Sequence, residues 1–196
     1  MIKDIFRWLF FNIKYLGDPP WDTGITPPEL EAFIAAHPPG RVLDLGCGTG
    51  TNITTLGEAG WKVVGVEYVW KAVRAARRRL REAGLAGKVL MGDVTRLERL
   101  DGRFDLILDI GCYHSLSDEK RQVYRRNLRS RLATGGTFLI YAHLEGENSQ
   151  SSNRLDAAAV AALSSTLDLV HHQDSFDNAE RPATWMTFRN NDQVQD

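Results

Sequence analysis

The stretch Val42-Leu-Asp-Leu-Gly-Cys-Gly-Thr-Gly50 constrains this chain more than any other. A short run of valine and leucine ends in three glycines, Gly46, Gly48 and Gly50, each one residue apart from the next. The polar residues from Thr51 to Thr55 then open a helix. That order is a strand, a tight turn and a helix N-terminus, the layout that seats a nucleotide-like ligand on backbone N–H groups. Glycine permits φ > 0 and lets a ligand approach where a Cβ would collide. The spacing is one residue tighter than the G-x-G-x-x-G of dinucleotide loops. Asp44 also sits two residues before the first glycine, where a carboxylate repels a pyrophosphate. It suits a ligand carrying an ammonium and a sulfonium. The loop therefore points to a cationic nucleoside, of which S-adenosylmethionine is the obvious case.

Beyond the loop, strands and helices alternate. Strands are expected at 41–45, 62–66, 88–91, 104–110 and 137–142, with two more at 167–172 and 184–189. Helices are expected at 2–16, 30–36, 51–59, 70–83, 118–132 and 155–164, with Ser117 as N-cap of the fifth. Gly135-Gly136 reads as the turn before the fifth strand. This alternation predicts an α/β fold, a doubly wound, mostly parallel sheet with helices on both faces. Such sheets bind ligands over the carboxyl ends of their strands. Asp44 to Gly50, Glu67, Asp93 and the stretch from Asp109 to His114 all map to that one edge. Glu67 lies 17 residues past Gly50, where nucleotide-binding α/β folds place an acid on the ribose hydroxyls. Asp93 suits an adenine amino group.

The N-terminal helix is apolar on two sides. Ile2, Ile5, Phe6, Leu9, Phe10, Ile13 and Leu16 form one face at spacings of three and four. Trp8, Phe11 and Tyr15 form a second, aromatic stripe. One side is expected to meet the domain, the other a substrate, a partner subunit or a membrane surface, unless both are core. The helix at 70–83 carries Arg74, Arg77, Arg78, Arg79 and Arg81 around a buried face of Ala72, Val73, Ala76 and Leu80, and its arginines read as a solvated face.

At 196 residues and a net charge of −1, the chain suits one domain and has no global field to recruit nucleic acid. Within it, residues 1–36 read as a helical cap, 40–144 as the cofactor-binding core and 145–196 as a substrate-side part. Cys47 and Cys112 are too few for a disulfide framework and read as small buried fillers in a reducing, cytoplasmic setting. The five histidines show no metal-ligand spacing, so no metal site is expected. Oligomeric state is not legible.

With these residues placed, the chain resembles the class I S-adenosylmethionine-dependent methyltransferases. Val42–Gly50 is similar to their first motif, Glu67 to their ribose-binding acid and Gly92-Asp93-Val94 to their adenine-side acid. Phe104–Asp109 resembles their fourth-strand motif, and Leu132–Gly136 the turn before their fifth strand. A narrower likeness is to the small-molecule branch that includes thiopurine, tellurite and heterocyclic-toxin methyltransferases. Pro19-Pro-Trp-Asp-Thr-Gly-Ile-Thr-Pro-Pro-Glu-Leu30 and Cys112-Tyr-His-Ser-Leu116 carry that likeness, although Thr26 stands where a proline is usual. The resemblance implies a Rossmann-like seven-stranded sheet with the last strand antiparallel, and an N-terminal segment folded over the methionine end of the cofactor.

The expected site follows. Trp21, Asp44, Gly46, Cys47, Gly48, Gly50, Glu67, Tyr68, Asp93, Val94 and Asp109 would bind S-adenosylmethionine, which leaves as S-adenosylhomocysteine. Trp21 would cover the sulfonium by cation–π attraction. His114 would take a proton from a small-molecule thiol, hydroxyl or amine, or else serve as a wall residue, and Tyr113 would stack on the acceptor. A protein or peptide acceptor, and a non-catalytic binding protein of the same fold, stay open as alternatives. Asp18-Pro-Pro-Trp21 mimics a base-methylating tetrapeptide, but it precedes the glycine loop instead of following a strand.

Overall fold

The computed structural model describes residues 9–17, 19–144, 154–177 and 181–191. Seven strands make a seven-stranded sheet, and the chain divides into two compact units, Met1–Val94 and Thr95–Asp196.

The first unit holds α1 (residues 9–14), α2 (Pro28–Ala36), β1 (Arg41–Leu45), α3 (Thr51–Glu58), β2 (Lys62–Glu67), α4 (Trp70–Glu82) and β3 (Lys88–Met91). β2 pairs in parallel with β1 on one side and β3 on the other, with Asp44 opposite Gly65 and Glu67 opposite Met91. Parallel pairing puts all three carboxyl ends on one edge. The glycine loop, Glu67 and Gly92-Asp93 therefore gather there, as the alternation predicts. α4 buries Ala72, Val73, Ala76 and Leu80, the face expected of it. Two glycines make the packing behind the loop possible. A Cβ on Gly65 would lie 2.6 Å from the Cys47 Sγ, so that thiol fills the space a side chain would take. A Cβ on Gly50, where φ is +92°, would lie 2.9 Å from both Cα and Cβ of Ala76 in α4. Gly50→Ala therefore adds left-handed strain to a backbone clash, and is expected to destabilise the fold by about 2–3 kcal/mol, read as the shift in urea unfolding midpoint.

The second unit holds β4 (Phe104–Ile110), a 3₁₀ turn (Tyr113–Ser115), α5 (Asp118–Arg131), β5 (Leu132–His143), α6 (Ala157–Ser164), β6 (Asp168–Phe176) and β7 (Pro182–Arg189). Its strand order is β4-β5-β7-β6. β4 and β5 run parallel, and β7 is antiparallel to both neighbours. β6 is exposed along nearly its whole length.

Two local expectations change, and one left open is decided. Gly135-Gly136 is no turn before β5 but a bulge inside it. The register with β4 jumps from Phe104–Leu132 to Leu106–Thr137, and Gly135 takes φ +71°. Asn190 holds the bulge in the strand, donating to Gly136 O and Leu132 O and accepting from Gly135 N–H at 2.7 Å. Ser117 is the N-cap residue of α5 by backbone, but its side chain makes no cap bond. The N-terminal helix, whose inward side the sequence left open, turns its aromatic stripe toward the domain. The aliphatic row Leu9, Phe10, Ile13 and Leu16 is exposed, whereas Phe11 and Tyr15 turn inward. The reason is aromatic packing: Phe11 stands edge-on to Trp21 at 5.7 Å and to Tyr68 at 5.9 Å. Residues 2–8, Asp18 and the spacer 145–153 lie outside the described residues.

Candidate functional site

The candidate cofactor site lies at the strand-end edge of the first unit. β1 delivers Asp44, 2% exposed, into the loop Gly46–Gly50, where all three glycines have positive φ. Gly46 and Cys47 donate their N–H groups to Val66 O, which fastens the loop to β2. α3 then starts with no side-chain cap, so its first-turn N–H groups are left to the loop side. Glu67, at the end of β2, is 5% exposed. Its Oε1 accepts from Tyr68 N–H and Val69 N–H, both at 2.8 Å, and its Oε2 accepts from Gly48 N–H at 3.1 Å. Glu67 thus knots the glycine loop to the start of α4.

The field here is negative. Burial, opposed by those three N–H bonds, pushes the Glu67 carboxyl above its ordinary value. Burial first, then the charges of Asp44 and Glu67, push the Cys47 thiol up as well. Cys47 is therefore an inert filler and not a nucleophile. The same two charges favour a cationic ligand over a pyrophosphate, as expected from Asp44. A carboxylate offers about four lone-pair sites. Three of those on Glu67 are already taken, so a ribose diol would displace Gly48 N–H from Oε2. Gly48, at φ +53°, is the kind of residue whose backbone can move to allow that.

The segment carrying the Pro-Pro-Trp-Asp likeness is stitched onto this loop. Thr49 donates to Asp22 Oδ1 at 2.6 Å, and the Thr26 and Thr55 hydroxyls share a 2.6 Å bond. Trp21, 47% exposed, donates its Nε1–H to the Tyr15 hydroxyl at 3.3 Å. That hydroxyl stands 3.2 Å from where a Cβ on Gly48 would be. Burial, then the nearby Glu67 charge, holds it well above the ordinary tyrosine range. The glycine at 48 is thus a cradle, and the group filling it is a tyrosine hydroxyl from α1. A glycine loop of positive φ, two buried acids and an aromatic cover fit an adenosine-bearing cation. Tyr68 is half-buried under Phe11, Asp93 is half-buried just past β3, and Val94 is buried beside it.

Asp109, Tyr113 and His114 belong to the second unit, where the first two are surrounded by the protein's own groups. Asp109 is fully buried. Its Oδ1 accepts from Cys112 N–H at 2.7 Å, and its Oδ2 from Tyr113 N–H at 2.9 Å and Tyr124 Oη at 2.6 Å. It folds the 3₁₀ turn after β4. Burial outweighs these bonds and raises its carboxyl to about 6. Tyr113 is also fully buried, packed on Tyr124 at 5.1 Å, with its hydroxyl taking a bond from Arg125. It has no face left to stack on an acceptor. His114 is 8% exposed, and its Nδ1 accepts from His143 N–H at 3.2 Å. The neutral ring therefore carries its proton on Nε2, which makes that edge a donor.

Sequence reasoning missed Tyr15, Asp22 and Thr49 as parts of the loop's cover, and Arg121 in the second unit. Buried Arg121 donates from Nη2 to His114 O at 2.7 Å and Arg154 O at 2.9 Å. The Pro-Pro-Trp-Asp likeness was a signal for Asp22. Nothing in the spacing of α5 distinguishes Arg121 from its neighbouring arginines. Among the described residues no cluster of three histidines, cysteines or acids is placed to hold a metal.

The model of a family described as a methyltransferase domain matches residues 42–136. The 2-heptyl-1-hydroxyquinolin-4(1H)-one methyltransferase of Mycobacteroides abscessus is 31% identical over 142 residues, which cover 66% of this chain and 62% of that protein. The ribosomal RNA small subunit methyltransferase C of Alcanivorax borkumensis is 31% identical over 110 residues, 55% of this chain and 33% of that one. The chain thus spans under two thirds of the length of both curated relatives. The solved 1,6-didemethyltoxoflavin-N1-methyltransferase of Burkholderia thailandensis, with 1,6-didemethyltoxoflavin and S-adenosylhomocysteine bound, superposes with a TM-score of 0.79 over 97% of this chain and 89% of that one, at 23% identity. At that identity the superposition speaks for the fold. Joined to the matched loop and the acid that ends β2, these likenesses support one conclusion: residues 42–136 form a methyltransferase domain of the class I, S-adenosylmethionine-dependent type.

Proposed function

We propose that the protein transfers the methyl group of S-adenosylmethionine to a sulfur, oxygen or nitrogen nucleophile on a small molecule. The observation that carries this reading is the seating of Trp21 and Asp22 on the glycine loop through the Thr49–Asp22 bond. It gives the loop a compact aromatic cover. The relative that acts on an alkyl hydroxyquinolone, and the structural neighbour with a bound heterocycle, support the same acceptor class.

When bound, S-adenosylmethionine supplies an already activated methyl on a sulfonium, so the chain's own residues mainly align it and keep water out; alignment of this kind supplies about 7–11 kcal/mol. In this reading the glycine loop and Asp44 hold the methionine end, Glu67 takes the ribose hydroxyls, Asp93 and Val94 flank the adenine, and Trp21 faces the sulfonium. His114 serves as a donor through Nε2, because its Nδ1 is engaged by His143 N–H. The nucleophile would then arrive with a free lone pair, or with a proton acidic enough to be lost to solvent.

RNA is the competing acceptor. Two observations favour it: the curated relative that is a ribosomal RNA enzyme, and the exposed cationic side of α4. A panel of thiols, phenols, heterocyclic amines, halides and tellurite, with total RNA and a peptide mixture as further arms, separates the readings by S-adenosylhomocysteine released. Release with one small-molecule class supports the proposal. Release with RNA or peptide alone overturns it. For small-molecule turnover, His114→Gln is expected to lower kcat about 10-fold or less, as loss of a positioning donor would, without abolishing the reaction. A pH–rate profile whose histidine limb vanishes in the variant would instead make His114 a base.

A further inference from the structure

The first unit carries a surface that the methyl-transfer reading does not use. Leu9, Phe10, Ile13 and Leu16 are 45%, 51%, 55% and 68% exposed, respectively. Their spacing puts them on one side of α1 and the turn that ends it. This row cannot roll inward, because the opposite stripe is committed: Phe11 packs on Trp21 and Tyr68, and Tyr15 holds Trp21. Beside it runs a groove of about 410 Å³ that Tyr15 and Gly17 share with α4. Lys71, Arg74, Arg78 and Arg81 line its α4 side. Arg77 and Arg79 are spent inside the fold, on Val89 O and on the Thr51 hydroxyl, so the remaining cations form one outward edge. The acids facing it are Asp22, already taken by Thr49, and Glu82, 3.8 Å from Arg78. Trp70, 51% exposed, opens this edge with the Arg74 guanidinium 4.7 Å over its ring.

We propose that this face docks on the surface of an anionic phospholipid bilayer, with the row from Leu9 to Leu16 entering the acyl boundary and the α4 cations on the headgroup phosphates. An apolar helix face, interfacial tryptophans and a cationic edge together are the composition that lies in such an interface. Charge decides the occupant. A second copy of this chain packing through the same face would oppose its own cations across a two-fold axis. A lipid surface instead supplies a negative field that complements this cationic edge.

The test is flotation of the full-length chain with vesicles of phosphatidylcholine alone and with 30 mol% phosphatidylglycerol added. The chain is expected to float with the anionic vesicles at least 10-fold more than with the neutral ones, and to be released at 1 M salt. Ile13→Glu with Leu16→Glu, and separately Arg74→Glu with Arg81→Glu, are each expected to lower that partition 10-fold or more. Circular dichroism and S-adenosylmethionine affinity should stay unchanged, since these side chains are exposed and outside the cofactor site. No flotation with anionic vesicles overturns the proposal, as does flotation that neither pair reduces. Two further results overturn it by assigning the face elsewhere. One is a dimer in sedimentation equilibrium that Ile13→Glu abolishes. The other is RNA retention that Arg74→Glu with Arg81→Glu abolishes while vesicle binding persists.

Discussion

Glu67→Ala is expected to weaken S-adenosylmethionine binding by about 100-fold or more, since each hydrogen bond to a charged acceptor contributes about 1.5–3 kcal/mol and a ribose offers two hydroxyls. The effect has a second source. Glu67 holds the N–H groups of Gly48, Tyr68 and Val69, so its removal also frees the loop the ligand needs. Glu67→Gln separates the two. The amide keeps the volume and one acceptor oxygen, but turns an NH₂ toward a donor, so it should retain the fold and still lose affinity. Titration calorimetry gives the affinity and thermal unfolding the stability. An unchanged micromolar constant in Glu67→Ala would remove the residue from the site. Because its carboxyl is raised, binding should also fall at a higher pH than an exposed glutamate would give, as protonation removes the acceptor.

Asp109→Ala is expected to cost about 4 kcal/mol or more of stability, because it strands several buried donors at once. Those donors are the N–H groups of Cys112 and Tyr113 and the Tyr124 hydroxyl. The pH dependence has a definite sign. Burial raises the folded carboxyl to about 6, against 3.8 for an ordinary aspartate. Its favourable contribution is therefore complete below pH 3.8 and is lost as pH rises through about 6, a change of about 3 kcal/mol. The stability gap between the wild type and Asp109→Asn, which cannot titrate, should accordingly be larger at pH 4.5 than at pH 7.5. Urea unfolding across that range measures it, and a gap that widens with pH would contradict the assignment.

Much of the architecture was legible because parallel sheets write themselves in alternating apolar runs. The edge that gathers Asp44, Glu67 and Asp93 follows from three strands pointing one way, and glycine spacing marked the loop. What was not legible depends on tertiary partners. Asp109 has the strand-end position of a ligand acid, but only the 3₁₀ turn behind it shows that its acceptors are spent on backbone. Gly135-Gly136 has turn composition, yet Asn190, far along the chain, keeps it in the strand. Both stripes of the N-terminal helix are apolar, and the longer one is the one left outside. Ring-to-ring contacts with Trp21 and Tyr68, invisible to a periodicity, decide which one turns inward.

The hydroxyl of Tyr15 resting over Gly48 has a thermodynamic corollary. A chain that seals its own loop with an aromatic plug must spend part of any guest's gross attraction on lifting it. Apparent affinity is then the intrinsic value scaled by the fraction of molecules already unplugged. Trimming the plug would tighten the grip on a donor while leaving the loop open to water, so retention and selectivity are set against each other at a single phenol.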